Sequence, residues 1–249
     1  PMAAATLDVI LSTLQCPHSV PFLGKAALLH LALSVSNKKM DIFGGWENYM
    51  ELLEKNWNEN ISSEDTVVLA GDSSWAMNIR DAYEDFCWIE KMPGKKILLK
   101  GNHDYWWCSR KKMEDTFSSW GFSSLSILHN NHFVYENYGI CGTRGWVNMP
   151  GEPQDAKVLA REAGRLTASI QSALKEELEP LVFLHYPPVY GNNCNPDILD
   201  VLYKYGVKYC WYGHLHGPSI KYAINGERDG IKFNLISSDF LQFKPVKIL

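Results

Sequence analysis

Eight histidines stand at positions 18, 30, 103, 129, 132, 185, 214 and 216, and four of them (His103, His185, His214 and His216) directly follow apolar runs. Imidazole and carboxylate ligands suit Zn, Fe, Mn and similar divalent ions. Gly213-His214-Leu215-His216-Gly217 sets two imidazoles two residues apart. Extended, they share a face; in a turn, they can reach adjacent ions, and the glycines permit the backbone angles this needs. Gly101-Asn102-His103-Asp104 offers a neutral carbonyl ligand in Asn102. His103 is then left to face a substrate, with Asp104 placed to orient it as an acid. Gly71-Asp72 and His185-Tyr186-Pro187-Pro188 complete the set. Each cluster alone has an ordinary reading, as solvated loop histidines or a polar turn with an Asn cap. Their occurrence together argues against coincidence.

The elements that carry these residues read as short buried strands. Val67–Ala70 runs into Gly71-Asp72, Ile97–Leu99 into Gly101–Asp104, Leu181–Leu184 into His185, and Val207–Tyr212 into Gly213-His214. Apolar runs bounded by Gly and polar residues suit strands covered on both faces. Helical patterns lie between them: Trp46, Met50, Leu53 and Trp57 at helical spacing, Asn78–Lys91 stopped by Pro93-Gly94, and a long helix over Gln154–Leu178. Asn195-Pro196 reads as an N-cap with proline at the first helical position, closed by Gly206. Lys221–Ile224 and Ile231–Ile236, flanking Asn225–Gly230, read as a β-hairpin. The class is α/β with added antiparallel strands. Open α/β sheets gather ligands at the carboxyl ends of their strands, where every polar cluster falls.

With 46% hydrophobic residues the chain can bury a sizeable core, and its net charge of -4 gives no electrostatic footprint for nucleic acid or a membrane surface. A small phosphorylated substrate fits that balance. No window reaches the run of about 18 apolar residues that spans a bilayer. Pro1–Gln15 is apolar without a basic start, which is weak support for a signal peptide. The six cysteines, at 16, 87, 108, 141, 194 and 210, form no C-x-x-C pair, which speaks for buried thiols in a reducing, cytoplasmic setting.

The order Gly-Asp, Gly-Asn-His-Asp, His, Gly-His-x-His resembles the calcineurin-like metallophosphoesterases. Within them it resembles a bacterial branch through Gly71–Ala76, Gly101–Trp107, Gly142–Trp146, His185–Pro188 and Gly213–Gly217. The resemblance covers the chain from about Leu29 onward. It implies a four-layer α/β/β/α sandwich and an enzyme that hydrolyses phosphate mono- or diesters with a water activated by two divalent ions (Mn, Fe, Zn or similar). By position it makes Asp72 the bridging carboxylate, Asn102, His185 and His214 ligands of one ion, and His30 and His216 ligands of the other. It makes His103 the proton donor, backed by Asp104.

The family's first motif is Asp-x-His, and here it reads Leu28-Leu29-His30. Leucine cannot ligate a metal, so weaker binding at the first ion is expected. The alternative is a degenerate, non-catalytic member that binds a metal or a phosphorylated ligand. Residues 1–28 stand as a divergent N-terminal extension, with Gly24-Lys25 interrupting any first strand, and 29–249 as the metallophosphoesterase domain. Asp8 and Asp41 lack the spacing to His30 that a substitute ligand needs. Arg144 is read either as a phosphate clamp or as a surface arginine packed on Trp146. Trp75, Tyr105, Trp106 and Trp107 are read as core or pocket wall. Asp239, after the last strand, is read as a loop aspartate or a residue behind the ligands.

Overall fold

The computed structural model describes residues 23–25, 29–33, 40, 44–146 and 156–248. Leu28, Asp8 and Asp41 lie outside them. The elements in chain order are β1 (Leu23–Lys25), α1 (Tyr49–Asn60), β2 (Thr66–Leu69), α2 (Tyr83–Lys91), β3 (Lys95–Leu98), α3 (Arg110–Ser119), β4 (Leu125–Ile127), β5 (Phe133–Tyr135) and β6 (Tyr138–Thr143). They continue with α4 (Ala156–Leu174), β7 (Glu179–Leu184), β8 (Val189–Tyr190), β9 (Asn193–Cys194), α5 (Pro196–Lys204), β10 (Tyr209–Tyr212), a 3-10 turn (Gly217–Tyr222), β11 (Gly226–Arg228) and β12 (Ile231–Leu235).

Two main sheets form. One is parallel in the order β1-β2-β3-β4, and the other runs β11-β12-β10-β7-β6-β5. In the second, β12, β10, β7 and β6 are parallel, and β11 and β5 close the edges antiparallel. The period-two alternation of strand side chains explains the layers. In β2, Val67 and Leu69 pack outward against Trp57, Phe86, Ile89 and Met113 of α1, α2 and α3. Val68 and, just beyond, Ala70 point the other way, onto Leu181, Phe183 and Trp211 of the second sheet. In β7, Val182 and Leu184 pack on Leu166 and Ile170 of α4 and on Leu202 of α5. This is the four-layer α/β/β/α sandwich, and it explains the unbroken apolar runs: both faces of each sheet are dry. Among the described residues no helix is long and apolar enough to cross a membrane.

Four local expectations are corrected. Gly24-Lys25 does not interrupt a strand; it lies within β1, paired with Val67 and Val68. An edge strand is held by main-chain bonds and tolerates glycine and lysine. The α2 helix starts at Tyr83 rather than Asn78, because the Asn78 side chain takes the Arg80 and Asp81 N–H groups into a turn. Helix α4 ends at Leu174, and Glu177 beyond it takes a positive φ. Lys221 falls in the 3-10 turn, and the hairpin is tighter than expected, with Arg228 paired to Ile231 across Asp229-Gly230. Both turn residues have positive φ, 51° and 78°, which a two-residue hairpin turn requires. Helix α5 follows expectation: the Asn195 side chain accepts the Ile198 N–H and Gly206 closes the helix at φ 61°.

Candidate metal centre

The loops after β2, β3, β7 and β10 meet because parallel strands deliver their carboxyl ends to one edge of each sheet. Two glycines let them meet closely. A Cβ on Gly101 would lie 2.1 Å from Asp72 Oδ1, and one on Gly71 would lie 2.6 Å from His185 Nδ1. The main chain then ties the loops: His30 N–H donates to Asp72 O at 2.9 Å, and Trp75 N–H to Leu31 O at 3.0 Å. Asp104 is the knot. Its carboxylate accepts N–H groups from Asp72, Ser73, Ser74, Gly101 and the Trp106 indole. Five donors from the converging loops thus share its two oxygens, so besides any part behind His103 this carboxylate ties the loops together. The His103 ring lies against Trp75, with ring centroids 3.9 Å apart. Its main-chain N–H holds Asp72 Oδ1 at 2.8 Å.

The six residues expected as ligands come together. Ligand atoms of Asp72, His185 and His214 lie within 4.8 Å of one another. Asn102 Oδ1 is 2.6 Å from His185 Nε2. On the other side, His30 Nε2 and His216 Nε2 face each other at 3.2 Å. Asp72 Oδ2 lies between the two groups, 3.5 Å from His185 Nε2 and 4.0 Å from His30 Nε2. His30, Asp72 and His214 all have positive φ, of 49°, 51° and 69°. Such strain in non-glycine residues costs on the order of 1–3 kcal/mol each and persists where surroundings over-determine it.

The donor chemistry fits cations. A neutral imidazole has one N–H. His185 faces two acceptors, Ala70 O at 2.9 Å and Asn102 Oδ1 at 2.6 Å. Burial first, against the Ala70 hydrogen bond, lowers His185 from 6.5 to about 3, so a second ring proton is not to be had. Burial, then His185 and His216, lowers His214 to about 2, and burial, then His216, lowers His30. At His185 and His214 the lone pairs therefore face the centre without a second ring proton. Burial also raises both Asp72 and Asp104, and positive charge at the centre would reverse that.

Arg144, after β6, packs on Trp146 and adds a buried partner. Its guanidinium lies 4.8 Å from the Trp146 ring, and its Nη2 is 3.7 Å from Glu162 Oε1. Fully buried Glu162 also binds Arg165 at 2.7 Å and the Thr143 hydroxyl at 2.6 Å. Sequence reasoning missed Glu162, although it shares the helix face of Leu159, Leu166 and Ile170, where a charge signals a buried partner. It also passed over Tyr186, whose ring sits 4.4 Å from that of His214.

A model of the calcineurin-like phosphoesterase family matches residues 30–218. No curated protein matches the chain. Among solved structures, TT1561 of Thermus thermophilus is 12% identical and has a TM-score of 0.54, covering 92% of this chain and 98% of that one. A protein of unknown function, AQ665 from Aquifex aeolicus, is 14% identical with a TM-score of 0.49, over 91% and 95%. The first of these likenesses speaks for the fold alone. The family match spans the loops that carry His30, Asp72, Asn102, His185, His214 and His216: the chain belongs to the calcineurin-like phosphoesterase family.

Proposed function

We propose that this chain hydrolyses phosphate mono- or diesters of small molecules in the cytoplasm, with two divalent ions held by its strand-end loops. His30, His216 and Asp72 form one half of the ligand set; Asn102, His185, His214 and the same Asp72 form the other. When bound, such ions supply a nucleophilic water at neutral pH and neutralise charge on the phosphate. His103 stands on the rim, outside the ligand set, and is the proton donor to the leaving oxygen. Trp75 fixes the plane of that ring. Arg144, stacked on Trp146 and steadied by Glu162, is placed to hold a phosphate oxygen by its fork.

The observation that carries this reading is the convergence of imidazole, amide and carboxylate donor atoms around Asp72. Hydrolysis of p-nitrophenyl phosphate and bis-p-nitrophenyl phosphate with added Mn²⁺ tests it, using His103→Ala and Asp72→Asn as controls. Turnover lost in both variants is expected. The rival, a degenerate binding protein, draws on leucine at position 28. Bound Mn²⁺ with no turnover of either ester would favour it.

A further inference from the structure

Beyond the ligands themselves, one carboxylate is built into the centre from the far end of the chain. Asp239 lies in the turn after β12, 23 residues from His216. Its Oδ1 accepts the His216 Nδ1–H at 2.8 Å and the Phe240 N–H at 3.0 Å. Its Oδ2 accepts the Gly217 N–H at 2.8 Å. Three donors from two segments thus fix the carboxylate. Ser219 fixes the main chain of His216, accepting its N–H at 2.9 Å and donating to its carbonyl at 2.7 Å. The Trp46 edge closes the remaining side, 5.4 Å from the His216 ring and 5.6 Å from His30.

Resting on the metal-centre reading above, we propose that Asp239 is the positioning residue for His216. By taking the Nδ1 proton it fixes one tautomer. That leaves the Nε2 lone pair facing His30 Nε2, 3.2 Å away, where it accepts a hydrogen bond or would accept an ion. It also places a negative charge directly behind the ring, which makes the imidazole a better donor. Asp239 touches neither substrate nor ion; it acts through the ring.

The test is calorimetric titration of Mn²⁺ into the metal-free full chain, wild type beside Asp239→Asn and Asp239→Glu. Asn keeps an oxygen for a main-chain N–H but loses the charge. The wild type is expected to bind two Mn²⁺. Asp239→Asn is expected to bind one of them about 10- to 100-fold more weakly and the other unchanged. Asp239→Glu, which restores the charge on a longer arm, is expected to fall between. A purely structural role in capping the Gly217 turn would lower the melting temperature of the metal-free protein and leave both Mn²⁺ affinities intact, which overturns the proposal. Should Asp239→Asn fail to fold, Asp239→Glu decides alone: one weakened ion supports the proposal, and two wild-type affinities overturn it. A wild type that binds no Mn²⁺ sinks the metal reading as a whole, whereas unaltered variants beside a two-ion wild type sink the role of Asp239 alone.

Discussion

His185 Nε2 and Asn102 Oδ1 face each other at 2.6 Å across the end of the two sheets, while the other nitrogen of the same ring is spent on Ala70 O. Two acceptors at that distance repel unless something positive lies beside them. Asn102→Leu should therefore leave the metal-free protein at least as stable as the wild type. It should weaken divalent-ion binding by about tenfold or more, the usual scale for a lost metal contact. Melting curves with and without Mn²⁺ check both halves; a large loss of metal-free stability would show that the contact is an ordinary hydrogen bond.

Acidification should destabilise the metal-free protein. His30, His185 and His214 are held neutral where the unfolded chain would protonate them. Above about pH 6.5 both states are neutral. As pH falls from there towards about 3, the unfolded chain binds protons that the fold refuses, at up to about 1.4 kcal/mol per pH unit for each ring. Asp72 and Asp104 are raised by burial and act in the opposite sense, because the fold keeps their protons longer. Three rings against two carboxylates leave a net loss, on the order of 2 kcal/mol between about pH 7.5 and 5. Urea midpoints in chelator at the two pH values measure it, and an unchanged midpoint would contradict it.

Metal uptake at about pH 7.5 should release less than one proton per ion. His30, His185 and His214 are already deprotonated, so the side chains with a proton to lose are the carboxyls of Asp72 and Asp104, both raised by burial. Calorimetry in buffers of different ionisation enthalpy counts the protons, and two or more per ion would mean that the histidines are charged beforehand.

Gly101→Ala should unfold the centre before anything else. The new methyl would meet Asp72 Oδ1 at 2.1 Å and its main-chain nitrogen at 2.3 Å. Overpacking of this kind costs about 1–3 kcal/mol. Loss of Mn²⁺ binding should accompany a lowered urea midpoint; full binding in the variant would show that the loops do not need this closeness.

Asp104→Ala should act on the fold rather than on proton transfer alone. It would strip the acceptor from five N–H groups of buried residues. A cost of about 3 kcal/mol or more is expected. Equilibrium unfolding of the metal-free variant measures it. A wild-type midpoint with lost turnover would leave Asp104 with the acid-orienting role alone.

Much of the site was legible because its parts are local. A polar residue just past an apolar run is a strand-end residue wherever the strand goes, so His185, His214 and Asp72 could be placed without coordinates. Runs such as Leu181–Leu184, apolar at every position, spoke for strands covered on both faces, and the four layers were expected from the family resemblance. What escaped was set by tertiary pairing. Asp104 lies next to His103 in sequence, yet its oxygens turn to the N–H groups of the Asp72 loop. Asp239 gains meaning only through His216, and Glu162 only through Arg144 and Thr143. Gly24-Lys25 looked unfit for a strand because glycine and lysine are poor strand formers, whereas an edge strand asks only for main chain.

The most direct test is a crystal of the protein grown with Mn²⁺ and measured at the manganese absorption edge. The account predicts anomalous density in the space bounded by Asp72, Asn102, His185 and His214, and a second peak beside His30 and His216. A well-ordered site with saturating Mn²⁺ in the crystal and no anomalous density among these residues would contradict it.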